Sequence, residues 1–213
     1  MHTFTTLTSA LLFLAPALAQ YATLPNVKVI PIDTGGCSQW PGYVQSRPGF
    51  TGGIQFIIDS AEDDWVNGLN AGSQLFNYSS GWSDEHLVMD LLRSRRFAKE
   101  LFQCYDGKVG PVYGNKGKLS VSRDYRNAYM TYTPGGYTLQ VYAHEIDGKR
   151  VDAKYLGAEN QTTWGFYYQE STECGKNGFY QVKLLGLPND PNTVPRAATD
   201  PQFKGFLKVV QYS

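Results

Sequence analysis

Cysteine and histidine are both scarce in this chain, with three of each in 213 residues. That scarcity argues against a zinc framework, because no Cys or His pairs stand at ligand spacing. It also leaves little from which to build a thiol–imidazole catalytic pair. An excess of charge of either sign is absent too, since 19 Lys and Arg balance 19 Asp and Glu. A neutral chain lacks the basic stripe that displaces counterions from a nucleic acid, so no nucleic-acid partner is expected. No apolar run approaches the roughly 20 residues that cross a bilayer, so no membrane span is expected. The sequence shows no Gly-x-Ser-x-Gly elbow, phosphate loop, internal repeat or low-complexity tract, so no cofactor is implied.

What the chain does carry begins at its amino end. Residues 11–14 (LLFL), flanked by Ala10, Ala15 and Pro16, form a short apolar core, followed by Ala17-Leu18-Ala19 and Gln20. A short apolar run closed by a small-x-small pattern reads as a secretory signal peptide over residues 1–19, although His2 is the only ionisable side chain before the run. Residues 20–213 are then expected to be a single secreted β-rich domain. In an oxidising compartment two of Cys37, Cys104 and Cys174 are expected to pair. Sequence does not choose among the pairings, and each closes a long loop worth about 4–5 kcal/mol in the chain-entropy model. Behind a signal peptide the sequons Asn77-Tyr78-Ser79 and Asn160-Gln161-Thr162 read as exposed glycosylation sites, Asn77 and Asn160 being the acceptors.

Aromatics are plentiful, with 15 Tyr, 11 Phe and 4 Trp, and they suit the pleated faces of an extracellular β-protein. Strands are expected at residues 54–59, 118–122, 128–133, 137–146, 151–156, 163–171, 179–185 and 202–212, with Asp147-Gly148 as a hairpin turn. Strands at this spacing predict a mainly β fold, an antiparallel β-sandwich or jelly roll. One helix is expected over residues 83–102, capped by Ser83, with Asp84 and Glu85 in its first turn and four basic residues toward its end. On that reading His86 is a surface residue of the first turn. A pair of strands through the same region is the alternative.

Alternation sorts the C-terminal strands into two faces. One carries Gln140, Tyr142, His144, Tyr167, Gln169, Gln181 and Lys183; the other is apolar and includes Tyr180. Amide, phenol and ammonium groups between aromatic plates suit a sugar, whose hydroxyls need donors and acceptors while its C–H face stacks. These seven residues are the candidate ligand-binding set, and an ordinary solvent-facing sheet is the plain alternative. The acidic run Asp59, Glu62, Asp63 and Asp64 lacks the spacing of a known calcium loop, and no metal site is assigned.

Two local patterns extend this reading. Lys176-Asn177-Gly178-Phe179-Tyr180-Gln181 resembles a strand motif of jelly-roll polysaccharide lyases of the alginate-lyase type, and Gln140 to His144 is distantly similar to another. That resemblance implies His144 as proton-abstracting base, Tyr180 as proton donor and Gln140 as a carboxyl holder. The pattern departs from the motif, because Gln181 stands one place early and Tyr180 falls on the face opposite His144. Taken whole, the chain loosely resembles the small secreted proteins of filamentous fungi, which implies an effector- or elicitor-like role in virulence or at the cell wall. The leading expectation is a secreted, non-enzymatic binding protein whose partner is a host protein or an extracellular glycan. A polysaccharide lyase or hydrolase and a structural wall protein are the alternatives.

Overall fold

The computed structural model of the chain describes residues 23–32, 36–77, 81, 83–90, 100–113, 117–123, 128–132, 134–170, 178–187 and 201–212. The expected leader and Cys174 lie outside these residues. Fifteen strands join in one sheet. They are β1 (Lys28–Pro31), β2 (Ile54–Asp59), β3 (Ala71–Asn77), β4 (Ser83–Asp90), β5 (Phe102–Tyr105), β6 (Lys108–Pro111), β7 (Ser120–Val121), β8 (Met130–Thr131), β9 (Tyr137–Thr138), β10 (Gln140–Ile146), β11 (Lys149–Arg150), β12 (Lys154–Gly157), β13 (Thr163–Gln169), β14 (Phe179–Leu184) and β15 (Phe203–Gln211). Their order is β1-β10-β12-β15-β13-β14-β4-β8-β7-β9, and β2, β3, β5, β6 and β11 branch from it. Every pairing between them is antiparallel.

The sheet curls over one buried apolar cluster. Phe56 of β2, Leu87 of β4, Val141 of β10, Trp164 of β13, Val182 of β14 and Leu207 of β15 all enter one buried cluster. Ile32, just after β1, and Tyr137 of β9 pack on that same cluster, so both ends of the strand order wrap around it. Inside it Phe56 stacks on Phe102 (4.6 Å) and Phe166 on Phe203 (4.9 Å). The buried Trp164 indole donates to the Leu156 carbonyl (2.9 Å), so its polar atom is satisfied. A disulfide joins Cys37 to Cys104.

Residues 83–102 correct the expected helix. Apart from a 3-10 turn at Asp64–Val66, the described residues contain no helix. Ser83–Asp90 is a strand and Phe102 opens another, with residues 91–99 outside the described set. Ser83-Asp84-Glu85 imitates a capped first turn, but Leu87 and Met89 enter the core while His86 and Val88 take the other side. That is a period of two, not 3.6. Over residues 83–90 a strand stands in place of the helix.

One local device shapes the outward face. β12 and β13 run along the same side of β15 as a single line broken by a four-residue loop, 158–161. Glu159 and Asn160 at its tip have left-handed φ values of 51° and 60°. The loop is pinched so tightly that a side chain at Gly157 would collide with the Gln161 carbonyl and press on the Tyr142 ring. Glycine is therefore required there for close approach.

Candidate functional site

The seven residues expected on one face do share a face. Strand register places Gln140, Tyr142 and His144 of β10 on the side opposite the core, together with Tyr167 and Gln169 of β13 and Gln181 and Lys183 of β14. They divide into two groups, one on β10 beside β12 and the other on β13 and β14. Tyr142, His144, Gln181 and Lys183 are buried, and Gln140, Tyr167 and Gln169 are half-buried. An open, solvated face is therefore not what these residues form.

The first group centres on His144, which is 1% exposed. Its ring lies parallel to Tyr155 at 3.8 Å and meets Phe206 edge-on at 4.6 Å. Nε2 hydrogen-bonds the Thr162 hydroxyl (2.9 Å). Burial pulls the His144 pKa down to about 4, against a small opposing pull from Asp59, so the ring is neutral at physiological pH. The Tyr155 hydroxyl donates to Asp59 (3.0 Å), and burial ahead of that carboxylate raises its pKa. Tyr142 donates to Gln140 Oε1 (2.8 Å) and accepts the Asn160 N–H (3.1 Å). The 158–161 loop thus closes over the group, with Asn160 exposed at its tip and Thr162, the last residue of its sequon, buried against the imidazole. Asn77 ends β3, opposite Ser83.

The second group centres on His86, which the sequence reading had placed on a helix surface. It is 3% exposed, and its Nδ1 receives the Gln181 amide nitrogen at 3.1 Å. With Nδ1 accepting, the neutral ring carries its proton on Nε2 and donates it to Asp84 Oδ2 at 3.2 Å. Burial lowers the His86 pKa, while the Asp84 carboxylate pulls it back up. Rings surround the pair: Phe76 at 4.7 Å, Tyr129 at 5.3 Å, Tyr167 edge-on to Tyr129 at 6.5 Å, and Phe179 edge-on to Phe76 at 5.7 Å. Lys183 lies on the same face two residues from Gln181 and bridges to the Tyr129 backbone. An orienting carboxylate, an imidazole, an amide and half-buried ring plates are thus brought to one place by β3, β4, β13, β14 and the segment leading into β8.

Tyr180 is on the core side, packed edge-on against Phe203 at 4.9 Å. His144 is on the outward side, so one sugar ring could not meet both as acid and base. The acidic run is engaged in local structure: Asp59 accepts from Tyr155 and Ser60, and Glu62 accepts the Lys204 N–H (2.7 Å). Among the described residues no three His, Cys, Asp or Glu side chains converge as metal ligands. Nor is any helix among them long and apolar enough to cross a membrane. No protein-family model matches the chain, and no curated protein matches it. His86 escaped sequence reasoning because its strand begins with cap-like residues; the signal that could have found it is the alternation Asp84, His86, Val88 against Glu85, Leu87, Met89.

Proposed function

We propose that the chain is a secreted, non-enzymatic β-sandwich-like protein, effector- or elicitor-like, that binds a host or cell-wall component through the outward face around His86. The observation that carries this reading is the Asp84–His86–Gln181 hydrogen-bond chain set among Phe76, Tyr129 and Tyr167. Buried polar chains cost desolvation and are offset only when every member is paired, so a core built for stability alone would use apolar residues there. A histidine whose donor and acceptor are both fixed holds the half-buried rings of Phe76, Tyr129 and Tyr167 in place as stacking surfaces. That chemistry suits a hydroxyl-rich ligand. The disulfide supports the extracellular setting, since such bonds persist in oxidising compartments.

The test is a glycan array probed with the purified protein and with Tyr167→Ala, together with leaf infiltration. A glycan or leaf response that weakens about tenfold in the variant, the loss of one good contact (about 1.4 kcal/mol), is expected. Glycan binding that is untouched by both Tyr167→Ala and Gln181→Leu would overturn the assignment to this face. Absence of any ligand and any response would favour a structural wall protein.

A further inference from the structure

Away from both histidines, the corner of the sheet held by the disulfide carries two neighbouring rings flanked by cations. The Arg47 guanidinium lies 4.8 Å from the centre of the Phe50 ring, Phe50 meets Tyr105 edge-on at 6.2 Å, and the Lys118 ammonium lies 5.3 Å from the centre of the Tyr105 ring. Tyr105 is 50% exposed, and Arg47, Lys108 and Lys118 are exposed. Lys108 stands directly across the β5–β6 hairpin from Tyr105, on the same side of the ribbon. The turn adds one carboxylate, Asp106, which lies against the Gly49 backbone, leaving three cations to one acid.

This row is held rigidly. Cys104, next to Tyr105, is bonded to Cys37 and exchanges two hydrogen bonds with Thr51, its carbonyl accepting the Thr51 N–H (3.0 Å) and its own N–H reaching the Thr51 hydroxyl (2.9 Å). The Gly107 N–H donates to Cys37 Sγ (3.3 Å), and the Asp106 N–H to the Gly49 carbonyl (2.8 Å). Asp106 and Gly107 both take left-handed φ values, 47° and 73°, in the tight turn that fixes Tyr105 opposite Lys108. Exposed rings fixed by covalent and hydrogen-bonded supports lose little conformational entropy when a ligand stacks on them.

We propose that this corner is a binding surface for an acidic polysaccharide of the uronate type, bound without cleavage. Each sugar of such a chain presents one carboxylate and one C–H face, so two successive sugars offer two stacking faces to the neighbouring rings and two carboxylates to the cations that flank them. A planar guanidinium pairs a carboxylate through two parallel hydrogen bonds, and ring faces accept the C–H patch. The inference stands apart from the His86 reading and uses none of its residues.

The experiment is calorimetric titration of the purified protein with a galacturonate oligomer, its fully methyl-esterified form and dextran sulfate. The arms are repeated for Tyr105→Ala, Lys118→Gln, Arg47→Gln and Tyr167→Ala. Circular dichroism checks the fold of each, and the two cation variants change only exposed side chains. Uronate binding is expected to fall about tenfold on esterification and on Tyr105→Ala, the worth of one good contact (about 1.4 kcal/mol). It should fall several-fold in each cation variant, weaken in about 0.5 M salt, where exposed charges are screened, and persist in Tyr167→Ala. No uronate binding, equal binding of the ester, tighter binding of dextran sulfate, or unchanged binding in Tyr105→Ala and both cation variants would overturn the proposal. Loss in Tyr167→Ala with Tyr105→Ala unaffected would assign the sugar to the His86 face instead.

Discussion

His144 and His86 sit on the same face of one sheet, and their surroundings follow opposite plans. His144 is wedged between Tyr155 and Phe206 with one hydroxyl for company, under a loop that seals it. His86 has both nitrogens engaged, one by a carboxylate and one by an amide, among rings that remain half-exposed. Burial drives the first to a pKa of about 4 against the charge of Asp59 alone; at the second the Asp84 carboxylate opposes burial through both its charge and a hydrogen bond. The difference separates a histidine used as a flat aromatic filler from one held in a defined orientation. The first stands four residues after Gln140 on the same strand; the second has both nitrogens fixed beside half-buried rings.

The comparison can be broken most forcefully at Phe206. Phe206→Ala leaves a cavity against His144 and Tyr155 and is expected to cost about 3–5 kcal/mol in denaturant unfolding. Ligand binding at the His86 face should remain unchanged at temperatures where the variant is folded.

Acidification comes next. Both histidines have folded pKa values below their unfolded value, so between those values the native state binds fewer protons than the unfolded chain. Stability present at neutral pH is therefore lost as pH falls. For His144, with 6.5 falling to about 4, the loss amounts to about 3 kcal/mol across that window. Thermal unfolding measured at several pH values should show this slope, and His144→Gln should flatten it.

A smaller effect is expected from Asp84→Asn. An asparagine can still accept the Nε2 proton, so the loss of charge assistance should cost only about 1 kcal/mol. The variant should nonetheless lower the His86 pKa, because the opposing carboxylate is gone. Smallest of all in stability is Tyr167→Ala, at about 0.5 kcal/mol for a half-buried ring, set against the larger loss of binding expected from it. A reversal, with large destabilisation and unaltered binding, would make the His86 group another packed core.

Much of the scaffold was legible in the chain. Residues 54–59 form the strand expected of Ile54-Gln55-Phe56-Ile57-Ile58-Asp59. Asp147 and Gly148 take the left-handed φ values, 50° and 73°, that a tight hairpin turn requires, and strands stand at 163–169 and 179–184 within the spans expected of them. The shared face of Gln140 to Lys183 was legible as well, because alternation fixes which side a residue takes. Its burial was not. An antiparallel sheet with one apolar face ordinarily leaves the other to water. Here Phe206, from a strand far along the chain, joins Tyr142 and Tyr155 in a second packed layer that no single strand reveals. Cys37 pairing with Cys104 was open for the same reason, since three pairings satisfied the sequence equally. Residues 83–90 misled because capping chemistry and strand alternation overlap over so short a span.

The central claim, that one histidine is packed and the other is held by a carboxylate, is tested most directly by nuclear magnetic resonance titration of both imidazoles. The wild-type protein and Asp84→Asn are compared. The account predicts that His144 titrates near 4 in both proteins, while His86 titrates lower in the variant than in the wild type. A His144 that titrates at the ordinary histidine value, or a His86 unmoved by the loss of Asp84, would contradict it.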